Sequence, residues 1–260
     1  GGGVRTVALV PRRASRGYEI EQMPGDVPKA RKVELLQRAD ERARRAGGAI
    51  TQVSANYGDN RRRILVANSD GVLVSDETVR TFFAVSCVAT GDTGMQTGRE
   101  SVGFTVGFEL FDMVDVEDLA ATAAQRALTK LAARPAPSGQ MPVVIGSGGG
   151  GVLFHEACGH GLEADLVAKG ASVFRDRVGQ RVASPGVTVV DDGTMAREWG
   201  NIAVDDEGAP AQRTVLIEDG HLTDYMWDHL RARKEGRASS GNGRRQSYQH
   251  LPMVRMTNTY

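Results

Sequence analysis

Aromatic residues make up only 5% of this 260-residue chain, cysteine occurs twice, and the formal charge cancels, with 32 Lys and Arg against 32 Asp and Glu. Each shortage excludes something. Two cysteines, Cys87 and Cys158, cannot build a disulfide framework, and a reducing cytoplasm is the expected home. Zero net charge removes any global attraction to nucleic acid or to an anionic membrane surface, and no DNA-reading motif is recognisable, so neither partner is expected. No apolar run approaches the roughly 20 residues needed to span a bilayer. The start, Gly1-Gly2-Gly3-Val4, lacks an initiator Met and a charged stretch followed by an apolar core, so no signal peptide is visible. The missing Met and the abrupt end at Asn258-Thr259-Tyr260 lead us to expect an interior piece of a longer protein.

Glycine, by contrast, is abundant at 32 residues, which suits turns and close backbone approaches. Residues 1–25 read as irregular around a strand candidate at Val7 to Val10. From Pro28 to Arg45, Val33, Leu35, Leu36, Ala39 and Ala43 recur at helical spacing. The basic face of that helix (Arg38, Arg42, Arg44, Arg45) is interleaved with Glu34, Asp40 and Glu41, the pattern of a solvated face. Strand candidates follow at Ala49 to Tyr57, Arg62 to Asn68, Val72 to Thr90, Thr93 to Thr97 and Val102 to Leu110, with a hairpin signal at Asn68-Ser69-Asp70-Gly71. Residues 115–134 read as an Ala-rich helix ending at the linker Arg134-Pro135-Ala136-Pro137-Ser138-Gly139. The second half reads as a strand at Pro142-Val143-Val144-Ile145, a glycine turn over residues 146–151 and a helix. Strands at Val187 to Val190, Ile202 to Val204, Thr214 to Glu218 and Leu222 to Trp227 come next. A short helix, Asp228 to Lys234, and a loop over residues 236–246 close the reading. The expected fold class is α+β, with an N-terminal sheet-and-helix domain (1–138) followed by a mostly β domain (139–260) that carries the glycine-led helix.

That helix contains His155-Glu156-Ala157-Cys158-Gly159-His160. A catalytic zinc takes three protein ligands and keeps one position for water, while a neighbouring carboxylate handles the proton. In the common metalloprotease motif the two histidines stand at i and i+4 on one helix face. Here they stand at i and i+5, which turns them about 140° apart on a regular helix. A π-bulge inserts one residue into a turn and would bring them back together, and Gly159 and Gly161 lower the cost of that distortion. Spacing by itself leaves two other readings open. One is a pair of unrelated polar residues on a solvated helix. The other is a phosphate cradle built on the glycine turn, although no Gly-Lys-Ser/Thr follows it.

Gly148 to Glu163 resembles the HExxxH signature of the TldD/PmbA family of zinc metalloproteases, specifically its TldD-type subunit. Val189-Val190-Asp191-Asp192-Gly193-Thr194, Asp205 to Pro210, and Gly241 to Tyr260 agree with the same family. The resemblance implies a cytoplasmic, ATP-independent zinc metallopeptidase, with His155 and His160 as zinc ligands and Glu156 as general base. Its substrates would be peptide bonds in small, modified or unfolded polypeptides. It also implies a dimer, formed with a paralogous TldE/PmbA-like subunit that lacks the metal site or with a second copy. The family's third ligand is a cysteine near the full-length C-terminus, beyond Tyr260, so the metal site of this chain is expected to be incomplete, and the chain itself without zinc and inactive. A non-catalytic peptide-binding or scaffold subunit is the alternative, and a gyrase-associated regulator, after the family's label "modulator of DNA gyrase", is a further one.

Among the remaining residues, Glu163 is a candidate for orienting a ligating histidine. Arg244 and Arg245 are candidates for holding a substrate carboxylate through forked hydrogen bonds. Cys87, in an apolar strand, reads as an inert core residue.

Overall fold

The computed structural model describes residues 6–146 and 148–260. Gly1–Arg5, and Ser147 within the expected glycine turn, lie outside the described residues. The chain forms two compact units that interleave along the sequence. One holds the described residues up to Tyr18, Arg62–Thr78 and Val143–Tyr260; the other holds Glu19–Arg61 and Val79–Pro142. Two long strands, β2 (Ile50–Ala67) and β3 (Val72–Gly91), each contribute residues to both units.

In the unit built on Glu19–Arg61 and Val79–Pro142, β3 pairs antiparallel with β4 (Gly94–Phe104). Phe83, Val85, Cys87 and Ala89 of β3 are buried at every second position, the period that turns one face of a strand inward. Helix α1 (Lys29–Arg44) contributes Leu35, Ala39 and Ala43, and α3 (Val116–Ala132) contributes Val116, Ala120, Ala123, Ala124 and Ala127 to the same core. The alanines have a reason: α3 lies so close to β4 that a Cβ on Gly98 would collide with the backbone of Ala123 and Ala127. Asp115 caps α3 by accepting from the Glu117 N–H at 2.8 Å. Arg38, Arg44 and Arg45 engage Glu117, Asp40 and Glu41 respectively, as expected of a solvated face.

The expected hairpin at 68–71 forms, with Asn68 Oδ1 accepting from the N–H groups of Asp70 and Val72. Strand β1 (Val10–Arg13) joins β3 in parallel. Several strand expectations change. The candidates at 49–57 and 62–68 are one strand, β2, a neighbour of β3 in the sheet. The candidates at 93–97 and 102–110 merge likewise into β4, and Leu110–Met113 is helical (α2). Residues 142–145 form no strand. Val144 is 98% exposed and has no ladder partner among the described residues, and apolar composition without a partner does not make a strand.

In the other unit, β5 (Val189–Asp192), β6 (Arg213–Glu218) and β7 (His221–Leu222) form an antiparallel sheet. The β6–β7 turn takes left-handed conformations at Asp219 (φ 45°) and Gly220 (φ 82°). The return strand is two residues long instead of the six expected, because Met226 leaves that ladder and pairs with the Glu163 segment. The 202–204 candidate is reduced to a single bridge between Val204 and Pro210. A second core collects Leu162, Phe174, Leu216, Leu222, Tyr225, Met226, Val254 and Met256.

The stretch expected to be a loop at 236–246 is buried at Gly241, Asn242 and Gly243 and enters a short ladder, β8 (Gly243–Arg244) with β9 (Met253–Val254). Acidic side chains tie it down. Asp191 accepts from Asn242 Nδ2, the Thr257 N–H, Thr257 Oγ1 and Thr259 Oγ1 at 2.7–2.8 Å. Asp205 accepts from the N–H groups of Glu207, Ala209 and Gly243, while burial pushes its carboxyl up to about 6. Unpaired buried donors cost about 1–3 kcal/mol each, so Asp191→Ala is expected to destabilise this unit by about 3 kcal/mol or more. Both tryptophans, Trp199 and Trp227, lie in it, so their fluorescence during denaturant unfolding measures the shift. An unchanged midpoint would remove Asp191 from this role.

No helix among the described residues is long and apolar enough to cross a membrane.

Candidate metal centre

The glycine-led segment builds three kinds of helix in fourteen residues. Helix α4 (Gly149–Phe154) is a single α-helical run entered from Gly148 at φ 82°, ψ −98°. His155–Gly159 is a π-helical turn, and His160–Leu162 a 3-10 turn. Helix α5 (Ala164–Ala168) follows, entered through Glu163. The extra residue of the π turn cancels the rotation that i, i+5 spacing would impose on a regular helix. His155 and His160 end with ring centroids 4.8 Å apart at an interplanar angle of 88°. The ligand atoms of His155, Glu156 and His160 all lie within 4.8 Å of one another.

Gly159 makes room here for Met256, and its backbone does not call for glycine. Its φ and ψ are −57° and −51°, which any residue adopts. A Cβ at this position would strike the sulfur of Met256, so the turn and the segment after β9 share one contact surface. A Cβ on Gly161 would lie 3.0 Å from the ring of Phe174.

The three side chains differ in environment. Glu156 is 66% exposed and His160 34%, whereas Glu163 is 1% exposed. His160 Nε2 lies 3.7 Å from Glu156 Oε2, and its Nδ1 lies 3.1 Å from Glu163 Oε2. Glu163 Oε2 also accepts from Arg255 Nη1 at 3.2 Å. Burial raises the Glu163 carboxyl above its ordinary value; the hydrogen bond and charge of His160, and the charge of Arg255, oppose it. Glu163, a candidate from sequence, therefore touches His160 directly. Arg255 has no signal of its own in the sequence, because its partner lies 92 residues away.

Arg244 and Arg245 are placed apart in character. Arg244 sits in β8 with its guanidinium half-buried, donating to the Met256 carbonyl at 3.4 Å. Burial lowers its pKa, and Asp206 opposes the shift. Arg245 is exposed, and its N–H donates to Asp206 Oδ2 at 2.8 Å. Cys158 is half-buried against the second core and stands outside the His155, Glu156, His160 group; Cys87 is buried in β3, as expected.

The two imidazoles suit a borderline metal ion such as zinc, and the Glu156 carboxylate stands beside them as a proton acceptor. Two atoms bound to one zinc at about 2.0–2.1 Å lie at most about 4.2 Å apart, close to the 4.8 Å within which these atoms stand. The donor set fits.

Two family models match the sequence: the PmbA/TldA metallopeptidase central domain over residues 23–131 and the C-terminal domain over residues 138–260. The chain belongs to the TldD/PmbA family. A Metalloprotease TldD homolog from Haemophilus influenzae is 42% identical over 237 residues, covering 89% of this chain and 49% of that one. The chain thus spans about half the length of curated relatives such as this one. Among solved structures, a Thermotoga maritima protein described as a modulator of a DNA gyrase superposes with a TM-score of 0.79 at 22% identity, covering 94% of this chain and 55% of that one. TldE from Thermococcus kodakarensis superposes at 0.76 and 20% identity, covering 98% and 57%. At such identities these likenesses establish the TldD/PmbA fold and nothing further.

Proposed function

We propose that this chain carries the metal site of a zinc metallopeptidase that hydrolyses peptide bonds in small, modified or unfolded polypeptides. The observation that supports it most is the convergence of His155, Glu156 and His160 on one π-helical turn. His155 and His160 would hold the ion, which when bound supplies a Lewis acid that lowers the pKa of water and polarises a carbonyl. Glu156, exposed beside His160, accepts the proton lost by the attacking water and returns it to the leaving amine. Glu163 holds His160 from its buried side. Arg244 and Arg245 are assigned to a substrate carboxylate, which a forked guanidinium recognises.

A third ligand, on the resemblance a cysteine C-terminal to Tyr260, would complete the zinc set. The partner we propose is a paralogous TldE/PmbA-like subunit or a second copy. The two free thiols suit a cytoplasmic setting.

The test is metal analysis and peptide cleavage on the full-length protein. About one zinc per chain is expected, with cleavage of an unfolded polypeptide abolished by a chelator and restored by zinc. A protein that binds peptide but neither holds zinc nor cleaves would be a non-catalytic subunit instead.

A further inference from the structure

A ring nitrogen three residues away and a guanidinium 92 residues away meet on one oxygen of Glu163. His160 Nδ1 is 3.1 Å from Oε2, and Arg255 Nη1 is 3.2 Å from the same atom. The other oxygen, Oε1, is buried without a hydrogen-bond partner among the described residues. The last torsion of a glutamate is broad, so a carboxylate held by one donor rotates its plane away from that donor. Arg255 opposes that rotation because it is itself anchored. Its Nη1 donates to the Val254 carbonyl at 2.8 Å, and its backbone N–H donates to the Asn242 carbonyl at 2.9 Å. Asn242 is in turn bonded to Asp191.

A neutral imidazole carries one proton, and two carboxylates compete for it here. Glu156 stands 3.7 Å from Nε2, beyond hydrogen-bond reach, and is exposed to water. Glu163 stands 3.1 Å from Nδ1 in a dry setting. We propose that Arg255 is a positioning residue for the metal site: by pinning Glu163 Oε2 it keeps the His160 proton on Nδ1 and leaves Nε2 as the donor atom for the ion. The proposal rests on reading His155 and His160 as ligands, yet its first consequence, the tautomer, needs no metal. Free histidine favours the proton on Nε2, so the expected state is an inversion of the intrinsic preference.

The test is a long-range ¹H–¹⁵N spectrum of the metal-free, ¹⁵N-histidine-labelled protein at pH about 8.5, roughly two units above the ordinary imidazole pKa. The unmodified protein is expected to show His160 protonated on Nδ1. Arg255→Met is expected to populate the Nε2–H form and to weaken zinc, measured against a chromophoric chelator, by about 10- to 100-fold. Arg255→Lys, which keeps a donor, should recover part of both. An Nε2–H tautomer in the unmodified protein overturns the proposal without any variant, even if Arg255→Met does not fold. So does a folded Arg255→Met protein with unchanged tautomer and affinity. If the unmodified protein takes up no zinc but the tautomer still depends on Arg255, the metallopeptidase reading fails and the control of His160 stands.

Discussion

Glu156→Gln is expected to leave the zinc content of the full-length protein unchanged and to lower peptidase turnover by about 10²- to 10⁴-fold. Glutamine keeps the size of the side chain but cannot take a proton from water and return it to the leaving amine. Glu156 is 66% exposed and forms no buried ion pair, so removing its charge costs the fold little. The loss is therefore one of chemistry, about 2.7–5.5 kcal/mol of barrier. It should appear in kcat, not in KM, because the interaction is made only as the bond breaks. Steady-state cleavage of an unfolded polypeptide beside metal analysis of the same samples measures it. Turnover within about threefold of the unmodified protein would take Glu156 out of the mechanism.

His155→Ala and His160→Ala are each expected to strip the zinc. Losing a group that merely orients a ligand costs about 10- to 100-fold in metal affinity, and losing a ligand itself costs more than that. The two variants should differ in a second respect. His155 is exposed, so alanine there should leave the unfolding midpoint near its original value. His160 satisfies the buried Glu163 from the solvent side, so its removal also leaves Oε2 dependent on Arg255 alone. A lower midpoint for His160→Ala in metal-free protein is the expected sign, followed by tryptophan fluorescence. Full zinc retention in either variant would mean that the ion sits elsewhere.

The comparison of the two histidines shows what could be read in advance. Helix geometry made a π-bulge the condition for His155 and His160 to share one ion, because its angles are local and follow from counting residues, while the resemblance named the two with Glu156. The helices 29–44 and 116–132 and the hairpin at 68–71 were legible for the same reason: caps, turn residues and a 3.6-residue period act within a few positions. The reading of Gly159 was right in place and wrong in cause. Its importance lies in the Met256 sulfur, 97 positions away in sequence, and no periodicity encodes that.

What the sequence by itself determined is the family and the motif. Gly148 to Glu163 and its companion stretches specify them by identity alone, and the family models span residues 23–131 and 138–260 accordingly. Tertiary structure alone decided what the companions do. Asp191 gathers Asn242, Thr257 and Thr259, Asp205 receives Gly243, and through that frame Arg255 reaches Glu163 behind His160. The physical reason is that a buried carboxylate takes its partners from wherever donors are brought within about 3 Å, and that proximity is set by packing across the fold and not by distance along the chain.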